Sequence, residues 1–359
     1  MARSAGALAL LVLALGSPSW ATYAVRISDL GNSPLPPNPI RVWGRVTSTS
    51  PMRLSDGRAE IDVIGLAALI GDFVVVTGTW DGAALTVTQT DSAFLGPART
   101  EMVYVPAGSF LMGNNGSEGY SQPDELPQHS VYLSGYWIGR YEVTRGEYRQ
   151  FMDAGGYSNS SYWSSDGWNW KVSNGRTEPS YWAAQQNWGS PPGTFTQTDD
   201  HPVVGVAHYE VEAFCNWAGG HLATEAQWEK AARWTGSYPN VYPWGNAWDQ
   251  QKSNNLYDTL YPKYQTAPVG SYPSGTSPYG CQDMAGNVWE WCKDRYASSY
   301  YSYPPPGGWI DPQGPSSGSA RVLRGGSWID SDSLQRCSNR NAASHPFDCY
   351  FYLGFRLAR

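Results

Sequence analysis

The sequence predicts an α+β protein, with a small all-β barrel over residues 22–98 followed by a larger, loop-rich domain over residues 99–359. Three features of the composition point that way. The 359 residues include 18 Trp, 24 Tyr and 9 Phe, 14% of the chain, and each of these rings can bury a large area. Charged residues make up only 15%, against roughly 25% in ordinary soluble domains. The 39 Gly and 26 Pro break regular structure often. Together these exclude a helical bundle, a coiled coil and a disordered chain. A net charge of −7 also argues against nucleic acid phosphates or anionic lipid as general partners.

The elements follow in chain order. Arg3, the apolar run Ala5 to Gly16 and the ending Ser19-Trp20-Ala21 read as an export signal over residues 1–21. The run is shorter than the roughly 20 residues of a membrane span, and no later segment is long and apolar enough to be one. A secreted or periplasmic protein is expected. Short alternating segments follow at Ile40–Val46, Glu60–Ile64, Phe73–Trp80 and Ala84–Val87, with turns at Ser55-Asp56-Gly57 and Asp81-Gly82. So many short strands in so few residues suggest a closed barrel, and the pattern resembles an OB-fold. Five Arg, no Lys and seven acids over residues 22–98 favour a spacer or docking role over nucleic acid binding.

Gly96-Pro97 reads as a hinge into the second part. There Thr144-x-x-Glu147 is a capping box for a helix striped by Tyr148, Phe151 and Met152, which stops at Gly155-Gly156. Val211, Phe214, Cys215 and Ala218 stripe a second helix ending at Gly219-Gly220. Thr224-x-x-Gln227 caps a third that runs to Trp234. Residues Tyr157 to Pro192 show little periodicity and read as an ordered loop insertion. After Asn240 the chain is turns and short strands.

Most catalytic motifs fail on context. The five His (129, 201, 208, 221 and 345) lack metal-ligand spacing. Gly314-x-Ser316-x-Gly318 matches a nucleophile elbow only formally, since it needs a strand before the Ser and a helix after it. Asp124 and Glu125 read as a solvated face. The five Cys form no C-x-x-C pair; an exported chain could oxidise Cys292 with Cys337. The segment Asp283 to Trp291 packs carboxylate and carbonyl oxygens into a Gly-containing turn, which suits a hard cation such as calcium. Alternatively, Trp289 and Trp291 are core and the polar groups satisfy the backbone.

The larger part resembles the formylglycine-generating enzyme (sulfatase-modifying factor) family, whose fold is C-type-lectin-like. The matching blocks run in order. They include Met102 to Gly113, Tyr141-Glu142-Val143-Thr144, His201 to Val206, Gly219 to Glu229, Tyr242-Pro243-Trp244-Gly245-Asn246, Gly286 to Trp291, Arg321 to Trp328 and Leu353-Gly354-Phe355-Arg356. The resemblance implies structural calcium on the Asp283 side chain and the carbonyls of Met284, Gly286 and Val288. A second calcium would use Asn255 and Leu256, although Tyr261-Pro262-Lys263-Tyr264 offers no acid there. It also implies where oxidases of the family hold copper, on two cysteines just past Gly-Gly-Ser. Here the first position is Asp330 and the second falls near Gln335 or Arg336, beside Cys337. A Cu(I) site needs two soft thiolates, so copper is not expected. Iron-using relatives of the ergothioneine pathway carry an added histidine-bearing helical domain, and none is visible here.

Two C-terminal runs differ from framework. They are Ile329-Asp330-Ser331-Asp332-Ser333-Leu334 and Ala342-Ala343-Ser344-His345-Pro346-Phe347-Asp348-Cys349-Tyr350-Phe351-Tyr352. Every residue in them is reachable from the Asn codon AAC by changing adenines alone. This resembles the variable proteins of diversity-generating retroelements, and the mixture of rigid aromatics with small polar residues suits a contact surface. The sequence therefore predicts an exported protein that binds a protein or other surface ligand through these runs. A formylglycine-generating-type oxidase and a non-catalytic accessory module are the alternatives.

Overall fold

The computed structural model describes residues 100–182, 197–258 and 265–359 in full, and elsewhere the backbone of the strands named below. The expected export signal, residues 1–21, lies outside them. The first strands are β1 (Ala24–Arg26), β2 (Ile40–Thr49), β3 (Met52–Ser55), β4 (Glu60–Ile64), β5 (Phe73–Trp80) and β6 (Ala84–Leu95). β2 pairs with β3, β3 with β4, β5 with β6, and β2 with β5, all antiparallel. β4 pairs with β6 in parallel, so the pairing returns to its start.

β6 then pairs antiparallel with β7 (Thr100–Val105), with Ala93 opposite Met102 and Leu95 opposite Thr100. The segment read as a hinge, Gly96-Pro97, lies outside the described residues, between these two paired strands. β7 continues through β10 (Tyr136–Gly139) to β18 (Leu357–Ala358) and β13 (His221–Leu222). β8 (Gly108–Met112) and β9 (His129–Leu133) form a separate hairpin, and β11 (Asn187–Trp188) pairs with β12 (Gly193–Thr194). A last sheet has the order β16 (Asn341–Ala343), β15 (Arg321–Arg324), β14 (Trp289–Arg295), β17 (Leu353–Phe355), with β14 and β17 parallel.

Among the described residues are four α-helices; α3 and α4 pack on the sheets, and α1 and α2 pack on α3. α1 (Arg145–Asp153) starts in the expected capping box, with the Glu147 amide on Thr144 Oγ1 and the Thr144 amide on the Glu147 carboxylate. α2 (Ser165–Ser173) lies within the stretch read as a loop. Ser164 caps it, Asp166 sits in its first turn and Lys171 in its last, signals that its weak apolar periodicity hid. α3 (His208–Ala218) ends at Gly219 in the left-handed conformation, and α4 (Glu225–Arg233) carries the second capping box, Thr224 with Gln227.

The core has two main parts. In one, Tyr148 of α1 stacks on Phe214 of α3 at 5.4 Å and meets Phe355 of β17 edge-on. In the other, Trp228 of α4 packs with Phe110, Val131, Cys281, Cys292 and Cys337. Two expectations fail here. Cys292 and Cys337 are buried and free, as are Cys215 and Cys281, and Cys349 is free and half-buried. Glu125 is not on a solvated face: it is fully buried, and Arg336 binds both its oxygens at 2.6 and 2.7 Å. Sequence spacing could not show a pair 211 residues apart.

Candidate aromatic face and carboxylate cluster

The first C-terminal run leaves β15 through Gly325-Gly326 and turns tightly. Asp330 Oδ2 accepts the amide and hydroxyl of Ser327 at 2.9 and 2.6 Å, and Trp289 donates to the same carboxylate. The amide of Leu256 and the Gln335 side chain both donate to the Asp330 carbonyl, each at 3.1 Å. Burial raises the Asp330 carboxyl, and the donors from Ser327 and Trp289 oppose the rise.

The second run is pinned by its backbone. The Tyr350 carbonyl accepts the amides of Gly205 and Leu353, and the Tyr352 carbonyl accepts the amide of Trp289. This ties Tyr350 to Gly205 and Tyr352 to β14, leaving the Tyr350 ring exposed and those of Phe351 and Tyr352 partly covered. Tyr350 stacks on Tyr352 at 5.4 Å, Phe351 meets Tyr352 edge-on at 5.1 Å, and Trp328 tilts against Phe351 at 5.7 Å. Burial raises the Tyr352 hydroxyl, reinforced by nearby Tyr350, Asp330, Asp348 and Tyr181. The two runs therefore meet at Trp289, whose side chain donates to Asp330 and whose amide donates to the Tyr352 carbonyl.

Within the runs, Leu334, Ser344, His345, Phe347 and Tyr350 are exposed. Ile329, Asp330, Ser331, Asp332, Ser333, Ala342, Asp348, Cys349, Phe351 and Tyr352 are partly covered. His345 stacks on Phe347 at 4.7 Å. Ala343 is a correction, being 4% exposed and part of the core, where it pairs with Arg321. Alternation along β16 turns it inward.

Three residues join the face that the sequence reading did not place there. Trp328 ends a family block and meets Phe351. Leu256, a candidate calcium ligand, is exposed at the Asp330 turn. Tyr181 meets Phe351 edge-on at 6.2 Å, with φ +67°. Its loop is docked by the Ser180 amide on the Gly205 carbonyl. Gly205 has φ +71°, and a Cβ there would lie 2.1 Å from the Ser180 oxygen, so this contact requires glycine. The density of Trp and Tyr in the insertion was the only signal for Tyr181.

At the positions that the resemblance matches to the copper thiolates stand Asp330 and either Gln335 or Arg336, the latter bound to Glu125. Gln335 is fully buried and accepts from Ser253 Oγ at 2.8 Å. Cys337 lies in the core, and burial pushes its thiol up to about 12. A carboxylate, an amide and an un-ionised thiol do not fit Cu(I).

A second cluster surrounds Asp283, which has φ +58° and accepts the Gly270 amide at 2.6 Å. Glu142 contacts the Asp283 carboxyl and accepts from Asn287 Nδ2 at 3.0 Å. Burial raises both acids, and each also feels the other and Glu290. The side chains of Met284 and Val288 are fully buried, and the Gly286 amide is on the Gly325 carbonyl. At the other candidate position, Asn255 Oδ1 accepts the Tyr257 amide and Nδ2 binds the Gln250 and Ser253 carbonyls. Its side chain is already committed to its own turn. Among the described residues, no three His, Cys, Asp or Glu side chains gather as a metal group. No described helix is long and apolar enough to cross a membrane.

The sulfatase-modifying factor enzyme 1-like domain matches residues 91–359. Hercynine oxygenase of Mycolicibacterium smegmatis is 35% identical over 280 residues, 71% of this chain and 60% of that protein. The chain thus spans about 60% of that relative's length. Formylglycine-generating enzyme of Thermomonospora curvata is 33% identical over 288 residues, 72% of this chain and 92% of that protein. Among solved structures, Treponema denticola variable protein 1 superimposes with TM-score 0.52 and 25% identity, over 72% of this chain and 94% of that one. The chain is mixed α/β with C-type-lectin-like neighbours, and it belongs to the sulfatase-modifying factor enzyme 1-like family.

Proposed function

We propose that this chain is an exported ligand-binding or display protein whose contact face joins Asp330 and Leu334 to Phe347, Tyr350, Phe351 and Tyr352. The carrying observation is that the two C-terminal runs, distinct from framework in sequence, converge on one partly exposed aromatic array. Rigid rings beside small polar groups suit recognition at low entropic cost. The likeness to a variable protein supports the reading, and so does the poor fit of Asp330, Gln335 and Cys337 to copper. The apolar leader supports export. The returning pairing of β2 to β6 supports an OB-like barrel acting as a spacer. The charge deficit at Asp283 and Glu142 fits structural calcium held by Asp283 and the carbonyls of Met284, Gly286 and Val288. Calcium there would supply positive charge and tie the turn together.

Oxidation of a cysteine-containing peptide, as in a formylglycine-generating enzyme, is the competing reading, favoured by a match over 92% of such a relative. Two measurements decide. Sequencing the locus across isolates is expected to show changes at codons 329–334 and 342–352, confined to adenine positions, with the framework constant. Copper-dependent oxygen uptake with a Cys-containing peptide would overturn the binding reading. The double variant Phe347→Ala/Tyr350→Ala, at exposed positions, is expected to keep Tm within about 2–4 °C of the parent. A collapse of Tm would make these rings core.

A further inference from the structure

Arg295 of β14 stands opposite Arg321 of β15, and Arg321 stands opposite Ala343 of β16. Directly paired residues share one face of a sheet, and Ala343 lies in the core with Val211 and Phe214 of α3. Arg321 therefore reaches beneath the start of α3, with a second guanidinium beside it. Like charges directly opposite each other destabilise a ladder, so the pair needs a counter-charge.

The described residues do not supply one. Arg321 is partly covered, and its Nε and Nη1 are buried without a hydrogen-bond partner. Neither arginine is ion-paired among the described residues. Lys293, on the same strand as Arg295, donates to the neutral Gln313 side chain at 2.8 Å. Asp294 is committed to the Glu225 amide. Residues 183–196 and 259–264 contain no Asp or Glu.

Two acceptors face the same cations. Glu212 of α3 feels Arg321, Lys293 and Arg295, although burial outweighs them and raises its carboxyl. His208, four residues earlier, is fully buried and feels Arg321 and Arg295. Its Nε2 lies 3.2 Å from the Cys292 carbonyl. With Nε2–H donating there, Nδ1 presents a lone pair, which has no partner and lies 3.6 Å from the Glu212 carboxyl. Unmet donors and unmet acceptors thus occupy one junction.

We propose that the junction of α3 with the ends of β14 and β15 binds a hydrogen phosphate ion. Arg295 and Arg321 donate to its charged oxygens, and Glu212 and His208 Nδ1 accept its O–H. Sulfate has the same shape and charge but no proton to give, so the carboxylate repels it. The site is separate from the aromatic face and does not depend on its role.

The test is calorimetric titration of the full chain at pH 8 in chloride buffer, with sodium phosphate or sodium sulfate at matched ionic strength. Phosphate is expected to bind more than about tenfold tighter than sulfate. Arg295→Gln and Arg321→Gln are each expected to weaken phosphate more than about tenfold. Arg295, at the strand end, keeps the test open if the Arg321 variant fails to fold by circular dichroism. Glu212→Gln is expected to let sulfate bind nearly as well as phosphate. Glucose 6-phosphate, whose ester is without the O–H at this pH, is expected to bind more weakly than phosphate. Absence of binding, or wild-type affinity in Arg295→Gln, overturns the site. Equal affinity for phosphate and sulfate in wild type makes it a plain basic patch and overturns the role of Glu212. A Tm rise in phosphate that persists in both arginine variants is the general effect of an excluded salt and counts against the site.

Discussion

Asp294, at the end of β14, lies buried beneath α4, where its Oδ2 accepts the Glu225 amide at 2.8 Å. Burial, with Glu225 nearby, pushes its carboxyl up to about 7. An unfolded Asp titrates near 3.9, so between about pH 4 and 7 the folded state holds the extra proton. Stability from this group is therefore full below about pH 4, falls as pH rises to about 7, and is flat above. Asp294→Asn removes the titration and can keep the acceptor. It is expected to flatten that part of the stability–pH curve and to be at least as stable as the parent at pH 8, measured by urea unfolding. Lower stability of the variant at pH 8 would mean that Arg340 and Lys293 hold Asp294 ionised. Glu125 behaves oppositely: burial pushes it up, but Arg336, Asn114 and Ser338 outweigh that and lower it. Both look like ordinary surface acids in sequence, because burial is set by residues far along the chain.

At the scale of elements, local signals were legible where they are local in origin. Thr144-Glu147 and Thr224-Gln227 mark two helix starts because the capping bonds span three residues. α2 was not legible, since its Trp168 and Trp170 pack against other aromatics and do not form one apolar stripe. The docking of the Ser180–Tyr181 loop was legible only in part: Gly205 was recognisable as a family glycine, but its contact with Ser180 needs the fold. Gly205→Ala would force φ +71° on a residue with a Cβ and drive that Cβ into the Ser180 carbonyl. A loss of more than about 1–2 kcal/mol is expected, with the near-ultraviolet circular dichroism of the Tyr181–Phe351 region altered. Gly175→Ala is the control, with φ +59° and nothing within 4 Å, and should cost less. Equal losses would show that strain, and not the docking contact, sets the cost.

For the whole molecule, the pairing of β6 with β7 makes one continuous sheet from the N-terminal strands into the family domain. Removing residues before Thr100 would bare one edge of β7. A chain of residues 100–359 is expected to melt lower than the full chain and to associate in light scattering. An unchanged Tm and a monodisperse monomer would show that this pairing contributes little.

By itself the sequence determined the family blocks, three of the four described α-helices, the strand-rich start and the two unusual C-terminal runs. Those properties reside in composition, spacing and caps, which act over a few residues. Only the tertiary structure decided that Trp289 ties Asp330 to the Tyr352 backbone, that Ala343 turns inward, that Tyr181 meets Phe351 and that Glu142 lies beside Asp283. These partners lie up to 170 positions apart in the numbering. Their proximity follows from how the sheets and helices stack, and no local pattern encodes it.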